Sequence, residues 1–568
     1  MRDVCGKFTI ALCILLAGSS AIPALGQNSH RVLPPHAVGA ELLPVQPAAP
    51  NSQSYAPQPS IIGPYWTKLN DAPPVSVGAM LLLTDGRVLA HEEPNCSGAG
   101  CSGMDFTAWY ILTPDITGSY INGTWTQAAS MPPDYAPLYF GSVVLPDGKV
   151  MVEGGEYLCP AGQCGEGPWT NLGALYDPAA NTWTSVAPPS TPTPWANIGD
   201  APSVILPNGT YMQADCCGVA LQMESAPLAA YFDEASMSWT ELNQSTKLDE
   251  FDEEGWTLLP SGKVLTVDAY VACPSDQPAC TAAGNSGSNS ELWDPSSQTW
   301  SSAGSTIVQL WDSKCGAGGG SYEVGPGVLR PDGTVYYTGS SDCEAGHTAI
   351  YNSLTGIWTK GPDFPNKDAA NDAPASIETN GKVIVMASPY SGTFTAPSRF
   401  YEWNGSTLNA FPAPPNAVND ASFVGHLLVL PTGQIMFTDF TTDAEILTTA
   451  GSWKSSWRPT ILSFPKSVSP GQANYSISGA QFNGLTQATA YGDDLQNATN
   501  YPLVRIVNSS SGHVFYCRSH NHSSMGVATG SALVSTKFDV PADIELGPSK
   551  VYVVANGIPS APQRISVQ

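Results

Sequence analysis

Apolar residues fall in short runs along this chain, and seven times a tight polar turn divides one run from the next. The pattern is LLLTDGRVLA from Leu81, VVLPDGKVMV from Val143, VILPNGTYMQ from Val204, TLLPSGKVLT from Thr257, VLRPDGTVYY from Val328, IETNGKVIVM from Ile377 and LVLPTGQIMF from Leu428. Asp-Gly and Asn-Gly between two apolar runs mark a β-hairpin, because both residues tolerate the positive φ such a turn needs. The copies recur roughly every 50 to 70 residues, a period that indicates one repeating supersecondary unit.

A second element follows most copies: an aromatic-containing apolar run, a polar turn, then Trp. It reads ALYDPAANTWTSV from Ala174, AYFDEASMSWTEL from Ala230, ELWDPSSQTWSSA from Glu291 and AIYNSLTGIWTKG from Ala349. Two hairpins per repeat make a four-stranded blade. One blade cannot bury both of its faces, but seven arranged radially can, so the pattern predicts an all-β chain built on a seven-bladed propeller, with each Trp between neighbouring blades. The segment YWTKLNDAPP from Tyr65 resembles an outer strand and is expected to close the ring. From about Pro459 the turn motif stops. The segments ANYSISG, YPLVRIVN, HVFYCRSH, STKFDVP and KVYVVANGIPS alternate polar and apolar residues, as in an antiparallel sandwich.

Composition sets the setting. Residues 1–26 read as a secretory signal, with Arg2 and Lys7 ahead of an apolar stretch and Ala24-Leu25-Gly26 as cleavage site. Residues 27–60, rich in Pro, Ala, Ser and Gln, lack periodicity and are expected to be a disordered leader. The propeller then occupies 61–458 and the sandwich 459–568. No later segment is apolar enough for a membrane helix. The net charge of −26 argues against nucleic acid as partner, since binding a polyanion needs clustered Lys and Arg. It suits a soluble protein in a secreted, extracellular or periplasmic, location.

In that compartment close cysteine pairs form local disulfides. Cys96 with Cys101, Cys159 with Cys164, Cys273 with Cys280, and Cys315 with Cys343 are the expected bridges. Cys216, Cys217 and Cys517 are left open.

With these repeats the chain resembles the kelch-type galactose oxidase and glyoxal oxidase group, a propeller followed by an immunoglobulin-like early-set domain. The ending KFDVPADIELGPSKVYVVANGIPS resembles that group's ending. The resemblance implies a copper ion held by two Tyr and two His. One Tyr-His pair of the group precedes the last blade's turn, where this chain has Phe423 and Val424. Its other His follows a Tyr-Gly, where this chain runs Tyr491-Gly492-Asp493-Asp494-Leu495-Gln496. Phe and Val cannot ligate copper, so the copper-radical chemistry is not expected here.

The residue seven before each turn's Pro, or its equivalent, occupies the register of that group's metal-binding side chains. It reads Val77, Tyr139, Asp200, Glu253, Val324, Asp372 and Val424. Two residues on, strand alternation brings the chain to the same face. There His426 stands among small residues and prolines. Tyr139, Asp200, Glu253, Asp372 and His426 are therefore the candidate ligand-binding residues at one end of the channel. Clustered carboxylates there suit a hard cation such as calcium better than copper. The run Asp249 to Glu254 adds charge and is expected to be a solvated face. His520 and His522 form a second candidate pair, for a metal on one strand face.

These features point to a ligand-binding propeller protein whose partner is an extracellular glycan or a small molecule. Two rival readings stay open. One is an enzyme, either a divergent oxidase or a lyase or hydrolase using His426. The other is a structural or adhesive surface protein.

Overall fold

The structure is a computed structural model that describes residues 64–93, 106–159, 169–216, 227–269, 288–312, 315, 323–341, 344–389, 394–491 and 498–568. Seven four-stranded antiparallel meanders form a closed propeller. Blade 1 runs Val77–Leu82, Val88–Glu92, Trp109–Thr113 and Thr124–Gln127. The innermost strands of blades 2 to 7 are Gly141–Val144, Ser203–Ile205, Thr257–Leu258, Gly327–Leu329, Ala375–Ile377 and His426–Val429. Blade 7 has only three strands of its own. Its fourth is Tyr65–Lys68, which pairs with Glu445–Thr448 and closes the ring, as the Tyr65 segment suggested.

The turn motif works through local chemistry. All seven turn glycines, Gly86, Gly148, Gly209, Gly262, Gly333, Gly381 and Gly433, have φ between 79° and 88°, a region that costs glycine least. At each turn the residue before the glycine accepts the amide two residues on. Asp85 holds Arg87, Asp147 holds Lys149, Asn208 holds Thr210, Ser261 holds Lys263, Asp332 holds Thr334, Asn380 holds Lys382 and Thr432 holds Gln434. Asp, Asn, Ser and Thr are interchangeable there because each brings an oxygen at that reach.

The outer-strand tryptophans tie blade to blade. The indole N–H of Trp125 donates to Asp71, that of Trp183 to Ala129, that of Trp239 to Ala187 and that of Trp66 to Pro412. In each case the acceptor is a backbone carbonyl just past the preceding blade's outermost strand. Trp300 and Trp358 reach the side chains of Gln244 and Ser290 in the same sense.

The C-terminal part is a nine-stranded arrangement in the order Thr460–Ser463, Tyr475–Ala480, Leu533–Asp539, Val514–His520, Leu503–Asn508, Gly547–Ala555, Gln563–Val567 and Ser467–Val468, with Ile558–Pro559 beside Gly547–Ala555. One strand serves two sheets: Val514 to Cys517 pair with Leu503–Asn508, and Arg518 to His520 with Leu533–Asp539. Both sides bury one core that includes Ile477, Phe482, Val504, Ile506, Phe538 and Val553.

This unit sits on the face where the seven turns lie. Ser519 N donates to Thr84 O, His522 N to Pro146 O and Met525 N to Pro207 O, at 2.9 to 3.1 Å. Tyr501 donates to the Leu82 carbonyl. Trp457 lies over Gly381, and Gly557 over Gly433. The opposite face, where the inner strands begin, is the mouth.

Candidate functional site: the propeller mouth

The register residues sit at the mouth, but not as an alternating strand would hold them. Tyr139, Asp200, Glu253 and Asp372 precede the first residue of their inner strands, and Val424 ends the 3-10 turn Ser422–Val424. Tyr139, Glu253 and Asp372 have φ of 52°, 60° and 48°, and Gly199 before Asp200 has 62°. A left-handed residue breaks the two-residue period, so the expectation that the side chain two positions on shares their face does not hold at these blades. His426, by contrast, opens its strand. Backbone hydrogen bonds link register positions in blades 4 to 6, Val324 N to Glu253 O and Asp372 N to Val324 O, and Phe440 N, past the second strand of blade 7, donates to Val77 O of blade 1. All five candidate residues are buried.

His426 and Tyr139 share a neighbour, Phe440, with ring centroids 5.6 and 6.1 Å away. The other face of His426 stacks on Tyr491, at 5.4 Å and 11°. Tyr491 belongs to the C-terminal part. Thr489–Ala490 pairs antiparallel with the inner strand of blade 6, Ala375 opposite Ala490 and Ser376 opposite Thr489, so this segment runs up the channel from the turn face toward the mouth. The Tyr491 hydroxyl then donates to the Phe423 carbonyl at 2.6 Å. Phe106, Leu138, Tyr157, Phe423 and Val424 complete an aromatic and aliphatic cluster around Tyr139 and Phe440.

Two residues that the inner-strand register did not reach belong here. His91 lies near the end of blade 1's second strand, Val88–Glu92, and Glu93 directly follows that strand. His91 Nδ1 lies 2.7 Å from Glu93 Oε1, and Nε2 lies 2.7 Å from the Phe106 carbonyl. Glu93 Oε2 accepts the Ala79 amide at 2.7 Å. A carbonyl only accepts, so Nε2 carries a proton, and the Nδ1–Oε1 contact needs a second proton on ring or carboxyl. Gly78 gives Glu93 its room: a Cβ there would collide with the carboxylate and with Phe440. The signal was present in the sequence, His-x-Glu at a strand end, on the second strand rather than the first.

His426 Nδ1 is buried without a hydrogen-bond partner. Burial lowers the pKa of His426, with His91 acting in the same direction and the Glu93 carboxylate and a Val424 backbone hydrogen bond opposing it. Burial thus disfavours the protonated ring.

Among the described residues two acidic groups have ligand atoms within 4.8 Å of one another: Asp200 with Cys216 and Asp252, and Asp249 with Glu254 and Asp268. Glu253, Asp372 and His426 join neither. In the first, the Cys216 sulfur is in a disulfide and offers no thiolate. In the second, the protein supplies its own cation. Lys247 Nζ lies 3.0 Å from Glu254, 3.6 Å from Asp268 and 3.1 Å from Glu291, and closer still to Asp249. This overturns the expectation of a solvated face for the run Asp249 to Glu254. Asp252, Glu253 and Glu254 are buried, Glu254 against the Lys247 ammonium, and Phe251, between them and Lys247 in the chain, packs on Trp256 and Trp300.

An oxidase-type copper site needs imidazole and phenolate lone pairs converging on one point. At the corresponding place among the described residues, His426 and Tyr491 lie face to face and the phenol is engaged with Phe423. The residues present do not fit that ion.

His520 and His522 do not form a metal pair either. The strand ends at His520, and Asn521 has φ 52°, so the alternation that would align the two rings is lost. His520 Nε2 contacts Asp539 at 3.1 Å, and His522 Nδ1 contacts Thr536 at 2.9 Å. Burial, helped by His520, pushes His522 down to about 3.

Cys159, Cys216 and Cys315 are disulfide-bonded. Cys96, Cys101, Cys164, Cys217, Cys273, Cys280 and Cys343 lie outside the described residues. Cys517 is a buried free thiol. No helix among the described residues is long and apolar enough to cross a membrane.

No protein-family model and no curated protein matches the chain. Among solved structures, the extracellular domain of a hybrid two-component system from B. thetaiotaomicron is similar at a TM-score of 0.42 and 10% identity, over 89% of this chain and 59% of that one. TolB from Acinetobacter baumannii is similar at 0.30 and 11%, over 65% of each. The chain therefore spans under two thirds of either structure, and likeness at these scores carries no weight. The propeller rests on the strand pairing itself.

Proposed function

We propose that this is an exported propeller protein that binds an extracellular carbohydrate, or a similar hydroxylated small molecule, at the propeller mouth. The observation that carries this reading is His426, whose free Nδ1 lies in a sandwich of Phe440 and Tyr491, beside Tyr139 and the His91–Glu93 pair. Aromatic faces with a few convergent polar groups are what a small-ligand site uses. The left-handed backbone at Tyr139, Glu253 and Asp372 adds support, since strained residues gather at functional sites. Export rests on the signal at residues 1–26, followed by the leader 27–60, the propeller 61–458 and an immunoglobulin-like domain 459–568. The bridges Cys96–Cys101, Cys159–Cys164, Cys273–Cys280 and Cys315–Cys343 belong to the same reading, and peptide mapping without reduction tests them.

A glycan array followed by calorimetric titration of the hits tests the binding. Micromolar binding to a glycan is expected, lost in His426→Ala. No binding across the array, or binding unchanged in that variant, overturns the proposal. The same free nitrogen favours a second reading, acid–base chemistry on the bound sugar, which a product screen over the hits distinguishes.

A further inference from the structure

Three residues before the turn glycine, five blades place a leucine on the face that carries the C-terminal part. Leu83, Leu145, Leu206, Leu259 and Leu430 are all buried there. In every turn the carbonyl of this residue accepts the glycine amide, so the seven positions are equivalent. Blade 5 has Arg330 in that place and blade 6 has Glu378. The Arg330 guanidinium is engaged with Asp332 at 3.0 Å and with the Gly381 carbonyl at 3.4 Å. Glu378 goes where the leucines go and is only 3% exposed.

A carboxyl in a leucine's place is poorly served. Oε2 accepts the Asn380 side-chain amide at 2.9 Å, and Oε1 is buried with no hydrogen-bond partner among the described residues. Beside Glu378 is a cavity of about 20 Å³. That is room for about one water. Glu378 and Thr379 line it from blade 6, and Trp457, Thr486, Asn556 and Ile558 line it from the C-terminal part. The Asn556 amide is committed to Thr486, at 2.6 Å from the carbonyl and 3.0 Å from the hydroxyl. Glu378 is the one titratable residue in the lining. Of the charged groups around it, Lys382 is bound to both oxygens of Glu402, at 2.8 and 2.7 Å, and Arg330 is held by Asp332. Burial, with Glu402 adding to it and Asn380 and Lys382 opposing, pushes Glu378 up to about 7.

Thr486 is also the foot of the segment that enters the channel. Its hydroxyl accepts the Ala488 amide at 3.1 Å, and the Ala488 carbonyl accepts the amide of Ile377, the residue before Glu378, at 2.7 Å. Thr489 and Ala490 then pair with Ser376 and Ala375, and Tyr491 meets His426. One stretch of blade 6, Ala375 to Glu378, therefore holds both the channel segment and the cavity at its foot. We propose that Glu378 is a proton-operated latch: protonated, it fills the leucine's place and the C-terminal part sits closed on blade 6; ionised, it draws water into the cavity and loosens the segment 486–491 that carries Tyr491 to the mouth. The seated form holds the proton more tightly than the open form, in which a solvated Glu378 returns to its ordinary value of 4.5. The seat is thus tightest below about pH 4.5, weakens as pH rises, and reaches its floor above about pH 7.

Hydrogen exchange of the full chain at pH 5 and pH 8, corrected for intrinsic exchange rates, tests the latch. Amides within 486–491 are expected to open about tenfold more often, or beyond that, at pH 8 than at pH 5. Those of the blade 2 inner strand, Gly141–Val144, are expected to be unchanged. Glu378→Gln removes the titration, and Glu378→Leu restores the residue of five other blades. Each is expected to abolish the difference, and either serves if the other fails to fold. Equal opening at both pH values in the unaltered protein overturns the proposal. A difference that persists in both variants overturns it too, because another group then titrates. So does one spread evenly over the blades, because the whole chain is then opening. No ligand enters the test, so its result stands apart from the glycan titration.

Discussion

His426 and Tyr491 lie face to face, 5.4 Å apart, although one opens a strand of blade 7 and the other arrives from the C-terminal part through the channel. The mouth is therefore built jointly by both parts of the chain, and its key ring is positioned by stacking.

That stack separates shape from chemistry. His426→Phe keeps an aromatic ring between Phe440 and Tyr491 but removes the free nitrogen. It is expected to melt within a few degrees of the unaltered protein while losing glycan binding about tenfold or more, the loss of one hydrogen bond to ligand. His426→Ala is expected to lose both. A His426→Phe protein that binds normally would show that only packing is required.

Trp183 tests the blade-to-blade tie. Its indole donates to the Ala129 carbonyl at 2.9 Å and packs on Trp109 of blade 1, with centroids 5.3 Å apart. Trp183→Phe keeps most of the packing and orphans the carbonyl. A loss of about 1 kcal/mol is expected in urea unfolding.

Lys247→Met leaves Asp249, Glu254, Asp268 and Glu291 around an apolar side chain. Removing one partner of a buried ionic network costs about 3–5 kcal/mol. Chemical denaturation should show a loss of that size, far beyond a surface lysine such as Lys360. A near-neutral result would mean that the four carboxyls are already protonated in the native protein.

The acid limb of stability should carry the mark of His522. Its folded pKa, about 3, lies below the unfolded value near 6.5. The unfolded chain then binds the extra proton, so the contribution is fully present above about pH 6.5 and is lost as pH falls toward 3. The slope is about 1.4 kcal/mol per pH unit. His522→Gln is expected to flatten the fall in melting temperature between pH 6 and pH 4.

The parts of the molecule legible in the sequence are those set by neighbouring residues. Each blade turn is written by a side-chain oxygen and a glycine, and Asp85-Gly86 and Thr432-Gly433 do the same work with different residues. The closing strand at Tyr65 was visible because its Trp repeats the other blades' pattern. The site was only partly legible. Counting back from each turn reached the mouth, but left-handed residues at Tyr139, Glu253 and Asp372 broke the alternation used to orient side chains, as Asn521 did for His520 and His522. His91 and Glu93 lay on and just past a strand that the count did not cover. The burial of Glu254 depends on Lys247 and on packing across the blade, which a charge run alone does not reveal.

The closing strand also governs how the chain reaches its final form. Trp66 shares a hydrogen bond with Pro412, 346 residues later, while each blade is otherwise made of near neighbours. Blades can therefore assemble one after another as the chain emerges, but the ring stays open until the last of them exists. Throughout that interval the first strand and the edge of the last blade are both unpaired, and each is the other's template. Two molecules caught at this stage can complete each other instead of themselves, passing the first strand from one copy to the next. An arrested propeller of this kind is a monomer of a chain.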